Sequence, residues 1–436
     1  MSFIPFCKTA EEIIAEDSAA SRPLDNRCYL HYNGPGAAGF GVKRTAMLLP
    51  EAVMLLVAPG CCGRHGTITG SRTGFEDRIF YLRLEERDVV TGNYQKKIPE
   101  AAEEVCRLAR PKALLLCMTC VDAILGTDLA RVGRRIAEKC SCPVATCFMD
   151  PITRESKRPP MVSVQQAIFS CLPAFPKKSG CANILGNFVP LDSGCEFKKV
   201  LEQAGFTEIH QISECHTFEE YCRMGEASLN IVINPQTQAA ADDLEKRCGI
   251  PNTQFRHTYG ISRTLEQYRL LGTALGTELD VSSYADRAAD VISDFVRKHG
   301  GLRIGVGEAV NGNPFEIALT FLEAGLEVPF VFRNIITVED RSFLKNIAEL
   351  KPDLKVYSGV HPTMTQTLSG YFDGVADIVL GLDAGYFCRD AVSVCWNMEK
   401  HPFGFDGTVR LFDALEKNLM DPIPHREQIY GSYLVV

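Results

Sequence analysis

The chain has 436 residues, of which 46% are hydrophobic and 23% charged, and its formal net charge is −8. This length and composition predict a globular protein of several domains with well-filled cores. Because the charge is negative and Lys and Arg form no extended cluster, a nucleic-acid-binding surface is not expected.

Neither an export signal nor a membrane span is predicted. The N-terminal residues lack a basic flank, and the longest apolar stretch, Ala46 to Ala58, is interrupted by Pro50 and Glu51. These features predict a cytoplasmic protein without a membrane partner. The 18 cysteines therefore point to metal binding or to reduced core thiols rather than to disulfides.

Short β-type hydrophobic runs alternate with longer helical segments along the chain. The predicted elements are strand Val53–Ala58, helix Pro99–Ala109, strand Ala113–Met118, helix Ala130–Lys139, strand Pro143–Phe148, strand Ala182–Val189, helix Glu196–Ala204, strand Ser228–Ile233, helix Gln236–Cys248, strand Leu302–Val306, helix Pro314–Ala324, and strands Val328–Val331, Lys355–Ser358 and Asp377–Leu380. This β-α-β order is typical of parallel sheets with both faces covered by helices. The predicted fold class is therefore α/β.

The β-α-β pattern restarts near Pro173–Gly180 and again near His299–Gly301. These breaks predict three consecutive Rossmann-like domains, at residues 1–178, 179–299 and 300–436. In open α/β sheets, ligands bind beyond the carboxyl ends of the strands. Clefts between such domains are natural cofactor sites.

Two glycine-rich segments come close to nucleotide-binding motifs but lack a required residue. In Gly36–Lys43, Val42 separates the last glycine from the lysine, which a phosphate-binding loop does not allow. The segment Gly305–Gly307 follows a predicted strand, but Val310 stands where a dinucleotide fingerprint has its third glycine. Neither segment predicts nucleotide binding.

Two groups of cysteines lie at the carboxyl ends of predicted strands. Their members, with the flanking glycines, are Gly60, Cys61, Cys62 and Gly63 in the first group and Cys117 and Cys120 in the second. Because the carboxyl ends of parallel strands meet at one edge of a sheet, both groups are expected close together. Thiolates at a shared edge can hold an iron–sulfur cluster. The alternatives are buried, reduced cysteines or, for Cys117 and Cys120, a redox-active pair.

These cysteine segments carry a family resemblance. The stretch from Cys120 to Asp128, which includes Gly126, resembles a cluster-ligand segment of nitrogenase component 1 subunits, and Pro59-Gly60-Cys61 resembles a second one. Gly34–Gly39 occupies the place of the first ligand segment of that family. Further similarity extends along most of the chain, through Ala182–Asn187, Leu244–Pro251 and Pro402–Gly407.

The resemblance implies three Rossmann-like domains with parallel sheets around a central cleft. It also implies an iron–sulfur cluster at the contact with a homologous subunit, and electrons from a separate ATP-dependent iron protein. Gly60, Gly63 and Gly126 would shape the loops that bind the cluster. The cleft of such proteins holds a second metallocofactor or a tetrapyrrole, and the candidates for its walls are Cys195, Cys215, His216, Cys388 and Cys395.

The chain departs from the family pattern at the first cluster ligand. Pro35 stands where the family has that cysteine, so Cys61 and Cys120 remain as ligands. The candidates for a substitute ligand are Cys62, Cys117 and Cys28, and a partner subunit is the other source. With fewer thiolates, a 4Fe-4S cluster is expected rather than a larger one.

A second departure concerns the molybdenum-type cofactor, which the family holds through one Cys and one His. The expected Cys position falls near Ile233-Asn234, and Phe403 stands at the His position, with His401 two residues away. Reduction of dinitrogen by this subunit is therefore not expected.

The sequence leaves several functions open, and it identifies neither a substrate nor a catalytic residue. The first is an oxidoreductase subunit that pairs with a homologous subunit, or with a second copy of itself, and reduces an unidentified substrate. The alternative is a non-catalytic scaffold for metallocluster assembly. The third possibility is a structural subunit whose homologous partner holds the active site.

Overall fold

The structure is a computed structural model that describes residues 4–16, 20–25, 27, 30, 41–60, 62, 76–121, 125–149, 159–186, 189–397 and 403–431. Its strands are β1 (Cys7–Thr9), β2 (Arg22–Pro23), β3 (Ala52–Pro59), β4 (Ile79–Leu84), β5 (Ala113–Thr119), β6 (Val144–Met149), β7 (Lys178–Leu185), β8 (Glu208–His210), β9 (Ala227–Val232), β10 (Asn252–Gln254), β11 (Ile304–Val306), β12 (Phe330–Phe332), β13 (Ile335–Ile336), β14 (Lys355–Tyr357), β15 (Ile378–Leu380) and β16 (Val392–Val394).

Helices lie between most of these strands. They are α1 (Ala10–Ala15), α2 (Val42–Ala46), α3 (Glu86–Thr91), α4 (Tyr94–Ala109), α5 (Leu129–Ala137), α6 (Pro160–Ser170), α7 (Glu196–Gln203), α8 (Phe218–Arg223), α9 (Gln238–Cys248), α10 (Ile261–Leu275), α11 (Ser282–His299), α12 (Pro314–Glu323), α13 (Asp340–Leu350), α14 (Leu382–Phe387), α15 (Phe405–Met420) and α16 (His425–Gly431). Within the described ranges, no helix combines the length and apolar character needed to cross a bilayer.

The first sheet has the order β4-β3-β5-β6, and all its strand pairs are parallel. Every residue of β5 is buried, as expected for a central parallel strand covered on both faces. Alternate side chains enter two hydrophobic clusters: Leu115 and Cys117 point into one, and Leu114 and Leu116 into the other. This sheet confirms the predicted strands of the first α/β unit to within a residue or two.

The second sheet has the order β10-β9-β7-β8 and is also parallel. Strand β7 begins at Lys178, four residues before the predicted start at Ala182. The first residues of β7, Lys178 and Ser179, are exposed and polar, so they carry no hydrophobic strand pattern. Both sheets lie in one compact unit, formed by described residues within 39–190 and 201–256.

The third sheet belongs to the other compact unit, which contains described residues within 1–38, 191–200 and 257–435. Its order is β1-β14-β12-β11-β15-β16, and only β1 is antiparallel to its neighbour within this sheet. Cys7 of β1 pairs with Tyr357 of β14, so the N-terminal strand joins a sheet built mainly from the C-terminal third of the chain. The α/β class with parallel sheets is confirmed; the domain boundaries 1–178, 179–299 and 300–436 stay a prediction.

In the same unit, α7 and α15 begin beside one another and cap each other. The buried carboxylate of Glu196 accepts hydrogen bonds from the backbone N–H groups of Phe405 and Asp406, and the Asp406 carboxylate accepts one from Glu196 N at 2.8 Å. Tyr268 also donates its hydroxyl to Glu196, at 2.9 Å. Each carboxylate thus satisfies N–H groups that have no partner inside their own helix.

Burial raises the pKa of Glu196 to about 7, against an ordinary value of 4.5. The folded state therefore holds this proton more tightly than the unfolded state, and the stability it contributes is complete below pH 4.5 and lost as the pH rises through 7. Relative to a Glu196→Gln variant, the free energy of unfolding of the native protein should fall by about 1.4 kcal/mol per pH unit between these values. Urea unfolding at several pH values measures the difference.

Glu202→Gln is the matched control, because Glu202 is an exposed carboxylate on the same helix. Its unfolding free energy should track that of the native protein at every pH. If the free energy of unfolding of Glu196→Gln changes with pH in parallel with that of the native protein, the buried carboxyl does not ionise in this range.

Candidate cluster site at the carboxyl edge of the first sheet

The two predicted cysteine groups leave the first sheet at the same edge. Strands β3 and β5 are neighbours, paired in parallel with Val57 opposite Met118. Gly60 is the first residue after β3, and Cys120 is the first after β5. The segments that carry Cys61 and Cys120 therefore start from adjacent strand ends, as the sequence predicted. Cys61, Gly63 and Cys28 themselves lie outside the described residues.

The glycines at this edge have identifiable roles. A Cβ atom on Gly60 would lie 3.2 Å from the guanidinium Nε of Arg83, whose strand β4 flanks β3. A larger residue would therefore have to displace that cation from the start of the loop. Gly126 has a φ of +60°, a left-handed conformation that residues with a Cβ rarely adopt.

Cys117 occupies a different environment from Cys120 and Cys62. It is fully buried, and its thiol meets that of Cys147, the residue opposite it on β6. Hydrogen bonding to Cys117 and burial both raise the pKa of Cys147 well above its ordinary value. Cys117 is thus a member of the packed core, whereas Cys120 and Cys62 are half-buried.

A buried lysine lies beside these thiols. Lys43, in helix α2, is only 7% exposed, and burial lowers the pKa of its ammonium group. The sulfurs of Cys117 and Cys62 lie nearby and, as thiolates, would act in the opposite direction and favour the charged form. Among the residues that the structure describes, no carboxylate forms an ion pair with Lys43.

Two buried hydroxyl groups in the same unit also lack hydrogen-bond partners within the described ranges. They belong to Thr45, on the helix of Lys43, and to Thr119, the residue directly before Cys120. Buried polar groups are seldom left unsatisfied, because each costs roughly 1–3 kcal/mol. A buried cation and unpaired donors suit an anionic group with several acceptor atoms, as an iron–sulfur cluster is.

Other cysteines lie away from this edge. Cys106 and Cys140 have their sulfurs 2.7 Å apart and precede β5 and β6, at the amino ends of those strands. Burial is the main cause that raises the pKa of Cys140, to about 12. The five candidates for cleft walls also differ: Cys195 and Cys388 are buried, Cys215 and Cys395 half-buried, and His216 exposed.

The position of the family's cofactor histidine is part of an aromatic cluster. The ring of Phe403 is buried and lies 4.4 Å from the ring of His257 and 6.3 Å from that of Phe197, measured between centroids. Sequence analysis missed His257, because no motif surrounds it and it lies far from Phe403 along the chain. His401 lies outside the described residues.

Comparison with known proteins agrees with this architecture. A family profile described as nitrogenase component 1 type oxidoreductase matches residues 37–420. A solved structure described as "Nitrogenase Cp1 at pH 6.5" superposes with a TM-score of 0.71 over 91% of this chain and 95% of that chain, at 18% identity. At this identity the superposition shows the fold alone, and it confirms the α/β class with parallel sheets.

Similar curated proteins share one description, "Nitrogenase iron-molybdenum cofactor biosynthesis protein NifE". The one from Sinorhizobium fredii is 24% identical over 414 residues, which cover 89% of this chain and 82% of the relative. The one from Methanococcus maripaludis is 25% identical over 284 residues, 61% of this chain and 58% of the relative. Since the family profile spans most of the sequence, the protein belongs to the nitrogenase component 1 type oxidoreductase family.

Proposed function

We propose that this protein is a scaffold subunit on which a metallocluster is assembled or carried for another protein. The sequence analysis put a reductase first and this scaffold second. The relatives' description as cofactor biosynthesis proteins favours the scaffold. Family membership alone does not decide between them, because one fold supports both assembly and catalysis.

The observation that carries the proposal is the buried ammonium of Lys43 beside the thiols of Cys62 and Cys117. A buried charge is costly unless an opposite charge compensates it. An iron–sulfur cluster held by thiolates is anionic and would supply that charge at the carboxyl edge of the first sheet. A buried lysine with no carboxylate paired to it among the described residues is hard to explain in a site made only of neutral core thiols.

Cys61 and Cys120 are the proposed ligands of a 4Fe-4S-type cluster, with Gly60, Gly63 and Gly126 shaping the loops. Of the possible substitutes, Cys62 is half-buried, whereas Cys117 is packed against Cys147 inside the core. Ligands that this chain does not supply would come from a homologous subunit or a second copy. The cluster would serve electron transfer within that assembly.

A scaffold must release its cargo, and this chain suits that requirement. Where the family holds its larger cofactor through Cys and His, this chain has Ile233-Asn234 and Phe403. His257 places one imidazole against Phe403. A cargo cluster held by fewer permanent bonds dissociates more readily than the cofactor of a finished enzyme.

Removing a proposed ligand should remove iron. Protein purified anaerobically is expected to contain about four irons per subunit pair and to absorb visible light, as the cluster type requires. The Cys61→Ala and Cys120→Ala variants should each lose most of that iron, measured by metal analysis. The control is Cys248→Ala, a buried cysteine packed beside the second sheet. Full iron content in both ligand variants would end the assignment.

Removing the buried cation should change the cluster's potential rather than its amount. The Lys43→Met variant keeps most of the side-chain volume but loses the charge, so the added electron is less stabilised and the reduction potential should fall. A redox titration followed by visible absorption measures the shift. Lys112→Met, at the exposed amino end of β5, should leave the potential unchanged. If Lys43→Met and Lys112→Met have the same reduction potential, Lys43 does not act on the cluster.

A transfer experiment distinguishes the scaffold from the reductase. Cluster-loaded protein mixed with a metal-free component 1 acceptor should lose metal to it stoichiometrically, and this is measured by separating the two proteins and counting metal in each. The reductase hypothesis instead predicts many turnovers with an ATP-dependent iron protein. Sustained ATP-dependent reduction of a substrate, without metal transfer, would restore that hypothesis.

A further inference from the structure

A second group of potential metal ligands lies on the second sheet. Glu208 and His210 are two residues apart on β8, so their side chains point to the same face. Cys181 of β7 stands opposite Glu208 in the parallel register. The thiol, a carboxylate oxygen and an imidazole nitrogen of these residues all lie within 4.8 Å of one another.

We propose that Cys181, Glu208 and His210 bind one Zn²⁺ ion, at a site separate from the cysteines of the first sheet. Sulfur, nitrogen and carboxylate oxygen together are the donors that Zn²⁺ takes in proteins, usually four in a tetrahedron. Three protein donors leave the fourth position for water. Mg²⁺ and Ca²⁺ prefer oxygen alone, so the thiol and imidazole argue against them.

The site is held by regular structure. Its donors come from two hydrogen-bonded strands, which position side chains more precisely than loops do. Cys181 is buried, whereas Glu208 and His210 are half-buried, so an ion can enter from the side of β8. Fixed spacing and access from solvent are the two conditions that a reversible cation site requires.

The charged groups around the site carry both signs. Glu226 lies close enough for its carboxylate to act electrostatically on Cys181 and His210, in addition to Glu208. The basic groups nearby are Lys177, Lys178 and Arg223. Lys178 forms an ion pair with Glu208, but its side chain is 52% exposed. Such exposed pairs contribute little, so an incoming ion can displace the lysine.

A cation here would stabilise an otherwise weak edge. Strand β8 has three residues and is the outermost strand of the second sheet. A strand this short gains little from its own ladder of hydrogen bonds. A metal bridge from β8 to Cys181 of β7 would fix this edge.

Cobalt provides the test, because Co²⁺ occupies zinc sites and absorbs strongly when a thiolate binds it. The titration uses metal-stripped full-length protein in the Cys61→Ala/Cys120→Ala background, so that the proposed cluster thiols do not contribute. The parent should show a thiolate-to-cobalt band that Zn²⁺ abolishes. The Cys181→Ser variant should lose this band, and Cys248→Ser, which alters another buried cysteine of the same unit, should keep it.

Variants of the half-buried residues Glu208 and His210 keep the test valid if the buried substitution Cys181→Ser prevents folding. His210→Gln and Glu208→Gln should each weaken cobalt binding by at least about tenfold, since even the loss of a residue that supports a ligand costs that much. Zn²⁺ should raise the unfolding temperature of the parent but not of His210→Gln. The proposal is overturned if the parent shows no thiolate band, or if both half-buried variants bind Co²⁺ as tightly as the parent does. Because Cys61 and Cys120 are absent throughout and only the second-sheet residues vary, this result does not depend on the proposed cluster.

Discussion

The parallel pairing of β3 with β5 is the constraint on which the candidate cluster site depends. Both strands are buried, and their register sets Val57 beside Met118. Parallel strands end at the same edge, so the segments after Pro59 and Thr119 start side by side although far apart in sequence. A shift of this register by a residue would exchange the faces to which Cys117 and its neighbours point.

Electrostatics distinguishes this edge from an ordinary hydrophobic interior. In the same unit, Lys97 meets the buried carboxylate of Asp88 at 2.7 Å, the usual compensation for a lysine near the core. Lys43 has thiols beside it, and within the part of the chain that the structure describes no carboxylate pairs with it. A buried ammonium group beside thiols is better suited to an anion than to closely packed apolar groups. The Thr119 hydroxyl, which has no hydrogen-bond partner among the described residues, lies at the end of the same strand, directly before Cys120.

The protein shares its fold with an enzyme family, and the proposed function requires that it retain a metallocofactor less tightly than an enzyme does. Phe403, which the resemblance matches to the family's cofactor histidine, packs against His257. The reciprocal caps between Glu196 and Asp406 nevertheless fix the segment that follows Phe403. A preserved frame with weakened ligation is consistent with a protein that handles a metallocluster and passes it on.

Sequence alone determined the elements with continuous hydrophobic runs, including β3 and β5, since burial on both faces leaves an unmistakable pattern. It did not predict β1, β8 or β10, because three-residue strands with mixed polarity have no such pattern and form only by pairing with neighbours. The order of the cysteine groups along the chain was likewise sufficient to place them at one edge of a sheet.

Only the tertiary structure decided which side chains meet. It placed Cys117 in the core against Cys147, although the sequence had made it a candidate for a substitute ligand. It brought Lys43 to the thiols and set Cys181 opposite Glu208. The physical reason is that periodicity reports whether a residue is buried, whereas the neighbours of a buried group depend on strand register and helix packing over long sequence separations.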